Sequence, residues 1–470
     1  MPVSALDPTT AGLEIASLRR AFLNGSLSAA ELIDRVLARV AEWADPALWI
    51  SRVDEATVRR RASALAAAAK ADPGVVARLP LFGIPFAVKD NIDVAGIPTT
   101  AACPAFAYTP AQSAPVVERL TAAGAVPIGK TNLDQFATGL VGTRSPYGVP
   151  RNPFDARYIP GGSSSGSAVA VAAGLVSFAL GTDTAGSGRV PAAFNNVVGL
   201  KPSRGLVSTR GVVPACRSLD CVSIFAPTAA DAFAVLEVAA GFDPDDPLSR
   251  EAPAARAKPD GSSFRFGVPA ARDLEFFGDH DAEQLFAAAL AALERIGGTM
   301  VEIGFAPFRD AGRLLYDGPW VAERLEATER LLNEQPAALL PVTRAIIERG
   351  RSYSALDAFR AQYELAMLRR EAEREFAGID CLALPTAGTI YEIDAIAADP
   401  VRLNSNLGLY TNFANLLDLS AIALPAGFRP NGLPFGISLS APAFGEQFLL
   451  DLGARYREVG NLSSAGGSND

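Results

Sequence analysis

Two clusters of glycine and serine, GGSSSGS at 161–167 and TAGSGR at 184–189, carry the clearest chemical potential in this 470-residue chain. They flank an apolar run, with Ser163 in the first cluster and Ser187 in the second. A serine hydroxyl becomes a nucleophile once a base takes its proton, and glycine-rich backbone lets a substrate approach closely. The usual base for such a serine is histidine. The chain holds one histidine, His280, in the charged string GDHDAE. Attack by Ser187 therefore calls for a base other than imidazole.

The elements that must position these clusters alternate along the chain. Helices are expected at 12–23, 28–43 and 54–71, the second opening with Ser28 and Glu31 at capping-box spacing. LFGIPFAVKD (81–90) has the character of a buried strand with a polar end. A helix at 113–125 and a strand at 125–130 follow. SAVAVAAGL (167–175) suggests a helix and VSFALGT (176–182) a strand, so the two Ser/Gly clusters sit at the ends of one helix–strand unit. Thr228 and Asp231 are placed to cap a helix at 229–240, and the Pro- and Asp-rich stretch 242–263 is expected as an exposed connector. Beyond it come a strand at 265–270, a helix at 281–298, a strand at 299–305, a helical span over 308–377, and strands at 381–385 and 421–428. NLSSAGGSND (461–470) has the composition of a disordered tail. This alternation argues for an α/β fold around a largely buried sheet.

Composition narrows the classes. Half the chain is apolar and 20% charged, as in soluble globular proteins. A net charge of −9 argues against nonspecific binding to nucleic acid or anionic membranes. Cys103, Cys216, Cys221 and Cys381 show neither CxxC spacing nor a disulfide framework, which suits a reducing, cytoplasmic setting. The N-terminus lacks a signal-peptide pattern. The best apolar stretch, 168–180, is shorter than the ~20 residues that span a bilayer. No ligand cluster or nucleotide motif calls for a metal or organic cofactor.

The whole run from 161 to 203, together with FAVKD around Lys89, GKTNLDQFATG (129–139) and SPYGVPRNPF (145–154), resembles the amidase signature family. The likeness extends more loosely from about 20 to 445. It implies a large mixed β-sheet flanked by helices on both faces, a single domain over 1–460, and a triad that needs no histidine. In that triad Ser187 is the nucleophile, Ser163 the relay held across a cis peptide bond from its neighbouring glycine, and Lys89 the base. The resemblance also makes the backbone N–H groups of Thr184, Ala185, Gly186 and Ser187 an oxyanion hole, whose donors are each worth ~3–4 kcal/mol of barrier.

Physical chemistry agrees with these roles. Lysine accepts a proton only when neutral, which its ordinary pKa of ~10.4 forbids near pH 7. Burial disfavours the ammonium, so the end of an apolar strand is a suitable place for a basic Lys89. Taken alone, FAVKD equally fits a charged strand end reaching solvent, and GGSSSGS a flexible linker. An apolar helix directly after the second string argues against the linker. Asp183 and Arg189 are expected to pair and support the loop. Three residues depart from the family pattern: Ser165 and Ala185 replace common glycines, and Gly188 replaces a bulky apolar residue. Gly188 is expected to widen the pocket beside the nucleophile.

Substrate choice draws on other segments. RLLYDGPWVAERLEA (313–327) and GLVSTRGVVPACRSLDCVSIFA (205–226) resemble allophanate hydrolases. Allophanate is urea carrying a carboxylate, and the resemblance places Tyr316 and Arg324 on that carboxylate. A guanidinium fork suits a carboxylate, and eight residues is a little over two helical turns, so both side chains face one pocket if the segment stays helical. The other reading makes Tyr316 a core aromatic and Arg324 a surface ion-pair partner. The implied activity is hydrolysis of a small anionic amide, in urea or s-triazine (cyanuric acid) degradation, by a homodimer. Many allophanate hydrolases carry a further C-terminal domain, and this chain is expected to correspond to the amidase part alone. Two alternatives stay open: an amidase for malonamate or a general carboxamide, and a component of an amidotransferase that works on charged tRNA.

Overall fold

A computed structural model describes residues 12–253 and 263–465. Eleven strands lie in one sheet: β1 (Trp49–Arg52), β2 (Pro85–Lys89), β3 (Val126–Thr131), β4 (Phe178–Asp183), β5 (Val198–Lys201), β6 (Cys221–Ala226), β7 (Phe264–Pro269), β8 (Gly298–Ile303), β9 (Cys381–Pro385), β10 (Leu419–Phe428) and β11 (Pro434–Pro442). Their spatial order is β1-β3-β2-β4-β6-β5-β10-β11-β9-β7-β8. β2 runs parallel to β3 and β4, and β7 parallel to β8 and β9. The other neighbours are antiparallel, so the sheet is mixed.

Every residue of β2, β4, β5, β6 and β9 is buried. Successive side chains on a strand point to opposite faces, so full burial requires cover on both. Helices supply it. The cover is apolar: Phe86 stacks on Phe178 across β2 and β4 with ring centroids 5.0 Å apart. At the edge, β8 leaves most of its residues partly or fully exposed.

Local signals operate as the residues dictate. Ser28 and Glu31 form a reciprocal capping box on the helix Ala29–Glu42. Thr228 accepts from the Asp231 N–H at the start of Ala229–Ala239. The expected helices, and the strands at 81–90, 125–130, 176–182, 265–270, 299–305, 381–385 and 421–428, are present within a few residues.

Several expectations need correction. The span 308–377 is four α-helices, Ala306–Asp317, Val321–Glu334, Pro341–Glu348 and Ala355–Phe376, interrupted by prolines and short 3₁₀ turns. Proline cannot continue a helix interior, and Pro319 and Pro336 sit at two of the breaks. The stretch 242–263 is not simply an exposed connector. Asp243 and Asp246 are buried and bind the segment 208–210 through Ser208, Thr209 and Arg210. Residues 254–262 of that stretch lie outside the described residues. The last helix, Glu446–Ala465, runs into the expected tail, whose remainder also lies outside them. Strands β1, β5 and β6 carry no alternating pattern that marks them from sequence, whereas β11 alternates Phe435, Ile437, Leu439 and Ala441 with Gly436, Ser438 and Ser440. Among the described residues no helix is long and apolar enough to cross a membrane.

Candidate active site

Lys89 is the last residue of β2 and is completely buried. Its Nζ lies 2.7 Å from Ser163 Oγ and 2.8 Å from Thr182 Oγ1 on the adjacent strand β4. Burial lowers the Lys89 pKa from 10.5 to about 7, against the opposing pull of Asp134, Asp220 and Asp183, while Arg324 adds to the lowering. The ammonium is thus poised to lose its proton near neutrality while it bonds the first cluster's serine.

The loop carrying Ser163 is fixed from several sides. The Gly162–Ser163 peptide bond is cis, as the resemblance implies. Gly162 N–H donates to Leu140 O at 2.8 Å, and Asp134 N–H to Ser163 O at 3.1 Å. The Asp134 carboxylate accepts from the N–H groups of Gly142 and Arg144, each at 2.9 Å, and of Val141 at 3.2 Å. A Cβ on residue 162 would stand 2.1 Å from Asp134 Oδ2, so this position has room for glycine alone. Behind the loop, Ser164 grips β4 by accepting from Thr182 N–H and donating to Thr182 O.

Ser187 is buried in the turn between β4 and the short helix Val190–Phe194. Asp183 and Arg189 hold that turn as the expected ion pair, fully buried, with Arg189 Nε 2.9 Å from Asp183 Oδ2. The same carboxylate accepts from Gly188 N–H at 3.0 Å. Burial alone would push Asp183 up, yet the Arg189 guanidinium and the other donors hold it below the usual carboxylate range. Asn415 donates to the carbonyls of Asp183 and Thr184, and Thr184 Oγ1 bonds the buried Asp220. Among the described residues Ser187 has no hydrogen bond to Ser163 or Lys89. The structure brings those two together and leaves Ser187 on the neighbouring turn.

Two local expectations change. Gly186 N–H donates to Asp183 Oδ1 at 2.8 Å. It is committed to the loop, so the oxyanion expectation narrows to Thr184, Ala185 and Ser187. Gly188 does not widen a pocket. A Cβ there would lie 2.5 Å from Ser223 Cβ and 3.1 Å from Asp183 Cβ, so the glycine lets the turn lie against β6. His280 stands exposed at the first turn of the helix His280–Arg295, with Nδ1 3.5 Å from Glu283.

Tyr316 and Arg324 do meet, though not on one helix. Tyr316 lies in the last turn of Ala306–Asp317, Arg324 in the first turn of Val321–Glu334, and Gly318, Pro319 and Trp320 form the turn between them. Arg324 Nη2 donates to Tyr316 Oη at 3.1 Å, with the guanidinium 5.1 Å over the tyrosine ring. Its Nη1 donates to Thr138 Oγ1 at 3.0 Å. Arg324 is buried rather than at the surface, its Nε has no partner, and no carboxylate pairs with it among the described residues. Burial disfavours its charge, while Tyr316 and Cys216 and the carboxylates of Asp220 and Glu323 favour it from a distance, so the fork itself is left without a directly paired carboxylate and suits an anionic ligand.

Thr182, Asp134, Asp220, Thr138 and Asn415 escape sequence reasoning. Asp134 carries a signal, as the carboxylate inside GKTNLDQFATG. The others are ordinary polar residues brought to the site by distant neighbours. Among the described residues no group of three or more His, Cys, Asp or Glu side chains could hold a metal ion.

Known proteins resemble this chain in sequence and in fold. The amidase family model matches residues 31–450. Urea amidolyase of Saccharomyces cerevisiae is 48% identical over 381 residues, covering 80% of this chain and 21% of that protein. The chain spans about a fifth of the length of the urea amidolyases it matches. A glutamyl-tRNA(Gln) amidotransferase subunit from Prochlorococcus marinus is 36% identical over 488 residues, covering 96% of this chain and 98% of that one. The solved Kluyveromyces lactis allophanate hydrolase superposes with a TM-score of 0.88 at 41% identity, covering 96% of this chain and 73% of that one. The chain belongs to the amidase family.

Proposed function

We propose that this protein hydrolyses the terminal amide of allophanate. The observation that carries the reading is Arg324, a buried guanidinium without a carboxylate partner, held by Tyr316 and Thr138 and close enough to Lys89 for its charge to act there. Arg324 and Tyr316 bind the substrate carboxylate and leave the far amide for Ser187. Neutral Lys89 takes the Ser187 proton through Ser163, and Ser187 Oγ bonds to the carbonyl carbon. The N–H groups of Thr184, Ala185 and Ser187 receive the oxyanion. Collapse breaks the C–N bond, and the leaving nitrogen takes the proton back through Ser163 to depart as ammonia. Water then cleaves the acyl-serine by the same route and releases N-carboxycarbamate, which loses carbon dioxide. Allophanate as substrate places the enzyme in urea or s-triazine (cyanuric acid) degradation. The four cysteines are buried and unpaired, in keeping with a reducing cytoplasm.

The test is ammonia release by the purified chain with allophanate, biuret, malonamate, urea and glutamine. Allophanate is expected to be preferred, and Ser187→Ala to abolish turnover without altering the fold. Turnover of malonamate with allophanate untouched overturns the substrate. Dependence on glutamine and a charged tRNA points instead to part of an amidotransferase.

A further inference from the structure

The segment 205–226 resembles allophanate hydrolases, yet no step of the reaction uses it. Its residues 215–220 form a tight turn ahead of β6, closed by the N–H groups of Leu219 and Asp220, which donate to Cys216 O at 2.8 and 2.9 Å. One end of this turn is tied to the loop of the nucleophile. The buried Asp220 carboxylate accepts from Thr184 Oγ1, from Ala215 N–H at 2.8 Å and from Cys216 N–H at 3.2 Å. Among the described residues Asp220 makes no ion pair. Its oxygens are committed to hydrogen bonds that press the turn against Thr184, whose N–H belongs to the proposed oxyanion hole.

The other end is tied to the helix Val321–Glu334. Glu323 receives both the Ser218 N–H at 2.9 Å and the Ser218 hydroxyl at 2.6 Å, and Cys216 Sγ donates to Trp320 O at 3.4 Å. Glu323 directly precedes Arg324, and Trp320 belongs to the break that brings Arg324 to Tyr316. On the Ser218 carbonyl, Arg204 Nη1 donates at 2.8 Å. This short turn therefore bridges the two parts of the site that must act on one molecule, the donors for the oxyanion and the fork for the carboxylate. Each end is held by a carboxylate using both of its oxygens, and such charge-assisted bonds leave the bridge little freedom to stretch.

We propose that Asp220 and Glu323 are positioning residues that set the distance between the oxyanion donors and the Arg324 fork, and so select the length of the anionic amide that reacts. The inference rests on the carboxylate role given to Arg324. A substrate held by its carboxylate presents its amide carbonyl to the donors only at the right spacing, and a misplacement on the order of 1 Å costs about a hundredfold in rate. Loosening the bridge lowers kcat and leaves KM nearly alone, the opposite of losing Arg324 itself.

Steady-state kinetics of the full chain with allophanate test it. Glu323→Ala is expected to lower kcat by about tenfold or more with KM held within about twofold and unchanged circular dichroism. Ser218→Ala, which loses only the hydroxyl bond, should fall less, and the double variant should be no slower than Glu323→Ala, because both changes remove one contact. Thr184→Val cuts the other end and should lower kcat likewise, whereas Thr184→Ser keeps the hydroxyl and should stay near the wild type. A Glu323→Ala enzyme with wild-type kcat, one whose loss lies in KM, or a Thr184→Ser enzyme as slow as Thr184→Val overturns the proposal. A wild type that prefers malonamate or glutamine overturns the choice of allophanate alone, and the same variants then give the same split on that carboxylate-bearing amide. A preference for biuret or urea, which carry no carboxylate, overturns both.

Discussion

Lys89→Met tests the base by stability as well as by rate. Methionine nearly matches lysine in length and carries no charge. In the folded chain burial holds the Lys89 pKa at about 7, against 10.5 for the ordinary group. A gap of about 3.5 pH units at ~1.36 kcal/mol each makes burying this lysine cost ~5 kcal/mol when it is fully charged, and ~4 at pH 7. The substitution also removes the Nζ bonds to the hydroxyls of Ser163 and Thr182 at 2.7 and 2.8 Å, leaving Thr182 only the longer bond from Asn91 Nδ2 at 3.3 Å. At ~1 kcal/mol each, that removes about 2 kcal/mol of the gain. The variant should therefore be inactive yet more stable by roughly 2 kcal/mol at pH 7. The sign of the pH dependence is set by proton counts. Between pH 7 and 10.5 the unfolded chain holds a proton on Lys89 that the folded chain has lost, so raising the pH stabilises the wild type and not the variant. The advantage should fall by ~1.4 kcal/mol per pH unit and vanish near about pH 9. Urea unfolding of both proteins at pH 7 and 9, beside ammonia release, measures this. A variant less stable at pH 7, or equally advantaged at both values, would refute a buried, neutral Lys89.

The other expectations are simpler. The wild-type kcat/KM should rise with pH through about 7 as Lys89 loses its proton, which a pH–rate profile reads directly. Arg324→Ala should raise KM for allophanate strongly and lower kcat much less, because it removes binding of the non-reacting carboxylate; equal losses in both would contradict the clamp. Asp183→Asn should destabilise the fold by ~3–5 kcal/mol in denaturant titration, since it leaves Arg189 buried and unpaired. Gly188→Ala should cost ~1–3 kcal/mol through its clash with Ser223, and Ser223→Gly should recover part of that loss.

The legible parts of this protein are those encoded by neighbours in sequence. Ser28 and Glu31 cap their own helix, Asp183 and Arg189 are six residues apart, and Lys89 ends an unbroken apolar strand. What is not legible arises where strands from distant parts of the chain align. Thr182 reaches Lys89 because β4 lies parallel beside β2, a pairing no local pattern states. The commitment of Gly186 N–H to Asp183 depends on how the turn closes, not on which residues form it. Gly188 suggests extra space beside the nucleophile until β6 brings Ser223 against it. Strands such as β5, four residues long and buried throughout, are defined by their partners and carry no periodicity of their own.

The turn at Gly318–Trp320 has a consequence for how specificity is written in this chain. Along an unbroken helix, eight residues rise ~12 Å, too far for Tyr316 and Arg324 to share a hydrogen bond. They stand 3.1 Å apart because the helix stops at Gly318 and restarts after Pro319. Under the proposed function, recognition of the carboxylate would be encoded partly in two residues assigned no contact with the substrate. Closing the break with a helix former would dismantle the clamp while leaving both of its side chains in the sequence. A homologue that keeps the tyrosine and the arginine but loses the breaker should recognise something else.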